Sequence, residues 1–249
     1  MTTKIITEGG NVVPNAQPIK KQDVAGAVQN LQSVMPAGIE LMPIGSAGKK
    51  EISSDIDTLI DANELMAAFP QAKDLKTARQ ALEAHFKAKG MFAARSGVSV
   101  HVGVPIPNST DLVQIDIMAV EKAKDAVPLH THDYTDPSMK GGTLHAIWAD
   151  LANMSRIPNH DSLMMSPYKG LVDRTTKELV TANKDEIASI IIGPGATAKD
   201  MGNPAAVLNA LKKFPEKYKA IKDKYFTQQE SFKVGTSSWF RNIFNKLPD

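Results

Sequence analysis

The stretch Gly45-Ser46-Ala47-Gly48-Lys49-Lys50-Glu51-Ile52-Ser53-Ser54-Asp55-Ile56-Asp57-Thr58-Leu59-Ile60 decides what fold and what chemistry to expect of this chain. Its second half alternates and then turns wholly apolar, as a strand entering a covered sheet does. Residues two apart on a strand face the same side, so Asp55 and Asp57 present two carboxylates together. Like charges at that range stay ionised only with positive charge between them, and a hard divalent cation with oxygen ligands is the usual solution. Just upstream, Gly45 lets the backbone approach a ligand closely, while the Ser46 hydroxyl and neighbouring N–H groups can hold phosphate oxygens. Metal ligands beside a phosphate cradle point to phosphoryl or nucleotidyl transfer.

The flanks read as α/β. Val24, Val28, Leu31 and Met35 recur at helical spacing behind Asp23, a candidate N-cap, and stop near Pro36. Ile39 to Ile44 reads as a short strand running into Gly45. Asn63 can cap a helix through Phe69, and Leu75 to Lys89 has helical spacing ended by Gly90. Val98 to Val104 and Leu112 to Ala119 alternate around turn residues Pro105 to Thr110, which predicts a hairpin with Leu112, Gln114, Asp116 and Met118 on one face. Asp116 lies within an apolar string, where an unpaired ionised side chain is costly. If two metal ions are to clamp an in-line displacement, a third carboxylate is needed. Asp116 fills that place: Asp55 and Asp57 would bridge both metals, and Asp116 would join the metal that activates the acceptor hydroxyl.

Gly45-Ser46, then Asp55-Ile56-Asp57 on a strand, then Asp116 on a later strand resembles the DNA polymerase β-like nucleotidyltransferase superfamily over Ile39 to Val120. Members carried by tailed bacteriophages resemble the chain in length and in a Lys-Gly helix start downstream. The resemblance implies a nucleotidyltransferase-like mixed sheet with flanking helices, followed by a helical domain. It implies transfer of a nucleoside monophosphate from an NTP to an acceptor hydroxyl, with release of pyrophosphate. The cofactor would be two Mg²⁺ or Mn²⁺ ions on Asp55, Asp57 and Asp116. Gly45, Ser46 and Ser54 would serve the nucleotide, and Lys140 or Lys169 would match the lysine that many members bring to the triphosphate from their second domain.

Residues 1–20 read as an N-terminal arm, 21–125 as the catalytic domain and 126–249 as a mainly helical domain, with the nucleotide between the two. Thr143 is the expected cap of a helix to Met154, and Leu171 to Asn183 and Ala205 to Phe226 have helical patterns. His130-Thr-His132-Asp133, with His145 and His160, lacks a zinc signature and reads as loop histidines. Gly193-Pro194-Gly195 lacks the ending of a P-loop and reads as a turn or mobile loop. Lys49 and Lys50 are placed to neutralise a triphosphate, although two loop lysines are more often simply solvated.

Composition bounds the rest. The chain has 249 residues, 42% hydrophobic and 22% charged, which is the make-up of a folded globular protein. There is no cysteine, so disulfides and thiolate chemistry are excluded and a cytoplasmic home is expected, the host cytoplasm if the protein is phage-encoded. No apolar run is long enough to span a membrane, and no membrane partner is expected. From Ala205 onward nine Lys or Arg stand against four Asp or Glu. Lys212 to Phe226 interleaves basic and aromatic residues, which suits an RNA or DNA acceptor. The reading preferred for the segment itself is an amphipathic helix burying Phe214, Tyr218, Ile221 and Tyr225. A nucleic-acid 3′ end is the acceptor slightly favoured. The alternatives are a protein or small-molecule hydroxyl, or a catalytically silent nucleotide- or nucleic-acid-binding protein on the same fold.

Overall fold

A computed structural model describes residues 12–134 and 141–227. The chain divides into two compact units, Met1–Val127 and Pro128–Asp249. Residues 1–11 of the expected arm, Lys140, and the basic tail past 227 lie outside the described residues.

In the first unit, strand β1 (Ile19–Lys20) leads into helix α1 (Lys21–Val34), and strands β2 (Met42–Ile44), β3 (Ile52–Ser53) and β4 (Asp55–Asp61) follow. Helices α2 (Ala62–Ala68) and α3 (Leu75–Ala88) precede strands β5 (Ala93–Ser96), β6 (Ser99–Pro105) and β7 (Leu112–Val120), and a short helix α4 (Ala123–Ala126) closes the unit. The main sheet has the order β2-β4-β7-β6-β5. Its central pair β4–β7 is parallel and the others are antiparallel, so the sheet is mixed. β1 and β3 form a separate two-stranded ribbon.

Strand alternation gives the sheet two unlike faces. Ile56, Ile60, Val100, Val102, Val113, Ile115 and Ile117 pack with Val24, Ala27 and Leu31 of α1 and Ala78, Leu82 and Phe86 of α3. Burying a side chain such as Leu82 or Phe86 completely is worth about 1.5–3 kcal/mol. The residues between them in sequence, including Asp55, Asp57, His101, Gln114 and Asp116, therefore belong to the other face.

Two helix starts of this unit differ from expectation, and at α1 the N-cap Lys20 makes no side-chain capping bond. α1 begins at Lys21, and Asp23 lies in its first turn, where a carboxylate still favours the helix dipole. The cap of α2 is the Asp61 side chain, which accepts from the Asn63 N–H at 2.8 Å. α3 carries a capping box between Asp74 and Thr77.

The second unit contains helices α5 (Gly141–Met154), α6 (Lys184–Ile191), α7 (Pro204–Leu211) and α8 (Pro215–Lys222). It also holds an antiparallel sheet of β8 (Leu163–Ser166), β9 (Gly170–Asp173) and β10 (Leu179–Thr181), with β9 in the middle. Among the described residues, helices outweigh strands here, and the small sheet is an addition to the mainly helical reading of 126–249. The helix expected over Leu171 to Asn183 does not form. The Asp173 carboxylate accepts the N–H groups of Thr175 and Thr176 at 2.7 and 2.8 Å, and this local turn competes with helix and reverses the chain. Thr143 lies inside α5, which already begins at Gly141. The single helix expected over Ala205 to Phe226 is broken at Pro215, which has no N–H to continue it and starts α8 instead.

Leu144, Ile147, Trp148, Leu151, Ile187, Ile191, Val207, Leu208 and Ile221 form the core of this unit, with Phe214, Tyr218 and Tyr225 packed against it. The buried-aromatic reading of the α8 segment therefore describes its structure. Lys217 satisfies the end of α6, its Nζ donating to the carbonyls of Ile191 and Ile192 and to Ser155 Oγ. The rings of His130 and His132 each lie 5.0 Å from His145, and His132 also packs edge-on against Trp148. The loop-histidine reading thus holds for His132 but not for His145, which lies in α5, and the rings belong to one aromatic cluster.

Candidate active site

Parallel pairing of β4 with β7 sets Asp57 directly beside Asp116 and Asp55 beside Gln114. Antiparallel pairing of β6 with β7 sets His101 on the far side of Asp116. One row across three strands thus reads Asp57, Asp116, His101, with Asp55 and Gln114 in the next row of the same face. The three carboxylates expected from the sequence are brought together, and His101 and Gln114 join them. The signal for both was in the sequence: each lies on the alternating strands of the hairpin, and His101 is reached by pairing residues outward from the Pro105 to Thr110 turn.

Asp116 Oδ1 is the focus of a hydrogen-bond network. It accepts from His101 Nδ1 at 2.7 Å and from Gln114 Nε2 at 2.9 Å. Gln114 Oε1 accepts the backbone N–H groups of Val12 and Val13 at 2.8 and 3.0 Å. Thr58, one residue past Asp57, donates its hydroxyl to the Asp116 carbonyl at 2.9 Å and ties the two strands side chain to backbone.

The carboxylates carry the electrostatic mark of crowding. Burial, with the charges of Asp55 and Asp116 beside it, pushes Asp57 up to about 7, against a smaller opposing pull from His101. Burial raises Asp55 as well, with the Asp116 charge adding to the rise and the hydrogen bond from Ser54 opposing it. Ser54 Oγ donates to Asp55 Oδ1 at 3.0 Å, so this hydroxyl orients a carboxylate.

The residue after β2, Gly45, lies against Asp57 at one end of this row. Gly45 has φ +71°, and a Cβ there would lie 3.0 Å from Asp57 Oδ2, so glycine answers both the conformation and the close approach. The Ser46 carbonyl accepts the N–H groups of Lys49 and Lys50 at 3.0 and 3.1 Å, closing a turn. Lys49 reaches back, its Nζ donating to the Gly45 carbonyl at 3.0 Å, and burial lowers its pKa. A cation thus stands within the loop that approaches Asp57. Lys169 is exposed on the turn between β8 and β9 of the second unit, where its N–H donates to Ser166 Oγ at 3.2 Å.

The donors fit a hard cation: all three carboxylates share a face, and the oxygens of Asp55 and Asp57 lack an adjoining positive charge strong enough to keep their pKa values down. Among the described residues no group of three or more His, Cys, Asp or Glu is drawn tightly enough to hold a metal ion as it stands, so an ion would have to gather these ligands. That limit also applies to the His130, His132 and His145 rings. Among the described residues no helix is long and apolar enough to cross a membrane. No family model matches the chain, and no curated protein matches it significantly.

Proposed function

We propose that the chain is a metal-dependent nucleotidyltransferase. The observation that carries this reading is the register of β4 on β7, with Asp57 beside Asp116, Asp55 in the adjacent row and Gly45 against Asp57. In the reaction an acceptor oxygen bonds to the α-phosphorus of an NTP as the bond to the bridging oxygen breaks. The products are a nucleoside monophosphate ester, pyrophosphate and the proton of the hydroxyl. When bound, two Mg²⁺ or Mn²⁺ ions would neutralise phosphate charge and acidify the acceptor hydroxyl. Asp55 and Asp57 would hold both, and Asp116 the one on the acceptor side. The Gly45–Lys50 loop would receive the triphosphate, with the Lys49 ammonium as its local positive charge. Ser54 serves this reading by orienting Asp55.

A nucleic-acid hydroxyl is the acceptor to test first. Lys212, Lys213 and Lys219 are exposed and suited to phosphates, while Phe214, Tyr218 and Tyr225 pack against the core and leave stacking to other groups. The test is incubation with Mg²⁺ or Mn²⁺ and each α-labelled NTP, with and without mixed RNA and DNA. Wild type should transfer label, and Asp57→Asn should lose at least about a hundredfold in rate. Equal transfer by Asp57→Asn would overturn the assignment. Label on the protein itself or on a small molecule would replace the nucleic-acid acceptor and leave the reaction standing.

A further inference from the structure

Asp116 has two oxygens, and the network treats them differently. Both donors, His101 Nδ1 at 2.7 Å and Gln114 Nε2 at 2.9 Å, converge on Oδ1. An ionised carboxylate oxygen has about two lone-pair sites, so Oδ1 is occupied and Oδ2 is the atom left for a ligand. The orientation of Gln114 follows from its partners. Its Oε1 accepts two backbone N–H groups, which obliges its amide N–H₂ to face Asp116. An ionised carboxylate oxygen has no hydrogen to donate, so the imidazole Nδ1 is the donor in the second bond.

His101 shows why this bond matters. The residue is 7% exposed, and its Nε2 is buried with no hydrogen-bond partner among the described residues. An unpaired buried nitrogen costs free energy, and an apolar ring would fill the slot without that cost. The ring is therefore used for Nδ1 alone. From this we infer that His101 and Gln114 are positioning residues that pin Asp116 through Oδ1, so that it meets a divalent cation through Oδ2 only. Gln114 is in turn anchored to the backbone of Val12 and Val13, which makes that segment part of the clamp. The inference rests on the metal-dependent reading above and deepens it. Partners that orient a ligating carboxylate typically hold ten- to a hundredfold in metal affinity.

The test is Mn²⁺ binding followed by the electron paramagnetic resonance signal of the free ion, on the full chain without nucleotide, so that activity does not enter. The proteins are wild type, Asp57→Asn, His101→Phe, His101→Asn and Gln114→Leu. His101→Phe keeps a ring and removes the donor, and Mn²⁺ should bind about tenfold more weakly. His101→Asn puts an amide N–H where Nδ1 stands and should restore affinity to within about threefold of wild type, which a merely space-filling role would not predict. Gln114→Leu removes the second donor and should also weaken binding, and it gives the reading if His101→Phe does not fold. Unchanged affinity in His101→Phe and Gln114→Leu, or equal loss in His101→Asn and His101→Phe, overturns the positioning role and leaves the metal site intact. Wild type that binds no Mn²⁺, or binds it as Asp57→Asn does, overturns both.

Discussion

Asp57 shows how an unneutralised site costs the protein stability. In the unfolded chain it titrates near 3.8, and in the fold burial and the neighbouring carboxylates raise it to about 7. Below about pH 4 it is neutral in both states. As pH rises from there to about 7 the unfolded chain releases the proton and the folded chain keeps it, so stability falls across that window and levels off above it. Asp57→Asn has no such proton. In metal-free buffer its melting temperature should match wild type near pH 4, exceed it increasingly up to about pH 7 and keep a constant lead above that, the gap corresponding to roughly 2–4 kcal/mol at most. A gap independent of pH would contradict the raised titration. Asp55, Asp57 and Asp116 were legible in the sequence because alternation alone assigns residues to a face. His101 was harder to find because its partner is set by strand register, and no single strand reveals that.

At the scale of elements, local chemistry explains both what was readable and what was misread. The β6–β7 hairpin and α3 follow from clean periodicity and end signals. The β9–β10 pair was mistaken for a helix because Leu171, Val172, Leu179 and Val180 fit either spacing. The deciding factor, the Asp173 side chain capturing two N–H groups two and three residues on, is a local contact that hydrophobic spacing does not register. The Gly193 loop is a packing element: Gly193 has φ +154°, and a Cβ there would lie 2.1 Å from Phe214 Cζ. Gly193→Ala should destabilise the second unit by about 2–4 kcal/mol through overpacking and backbone strain. Denaturant unfolding would check this, and an unchanged midpoint would show that Phe214 can move aside freely.

For the whole molecule, the relevant fact is that each unit has its own apolar core. All three aspartates, His101 and Gln114 belong to the first. A fragment ending at Val127 should therefore unfold as one cooperative transition and bind Mn²⁺ within about threefold of the full chain. A fragment without a sharp transition would show that the first core does not suffice. The α/β class could be read from the first unit because α1, α3, β4, β6 and β7 are long and regularly patterned. The second unit's strands have three or four residues each, too few for periodicity to separate them from a helix turn.

The parallel pairing of β4 with β7 also has a consequence in time. Two helices and two strands lie between these neighbours in the chain, so their closure carries the loop entropy of a non-local contact, a slow kind of step. A growing chain that has released Asp55-Ile56-Asp57 but not yet Leu112–Val120 holds the motif without Asp116 and Gln114, and His101 then has no carboxylate on β7 to pair with. Under the proposed function, chemistry at this centre would wait on synthesis and closure of nearly the entire first unit, and a truncated translation product ending before Leu112 should transfer no label.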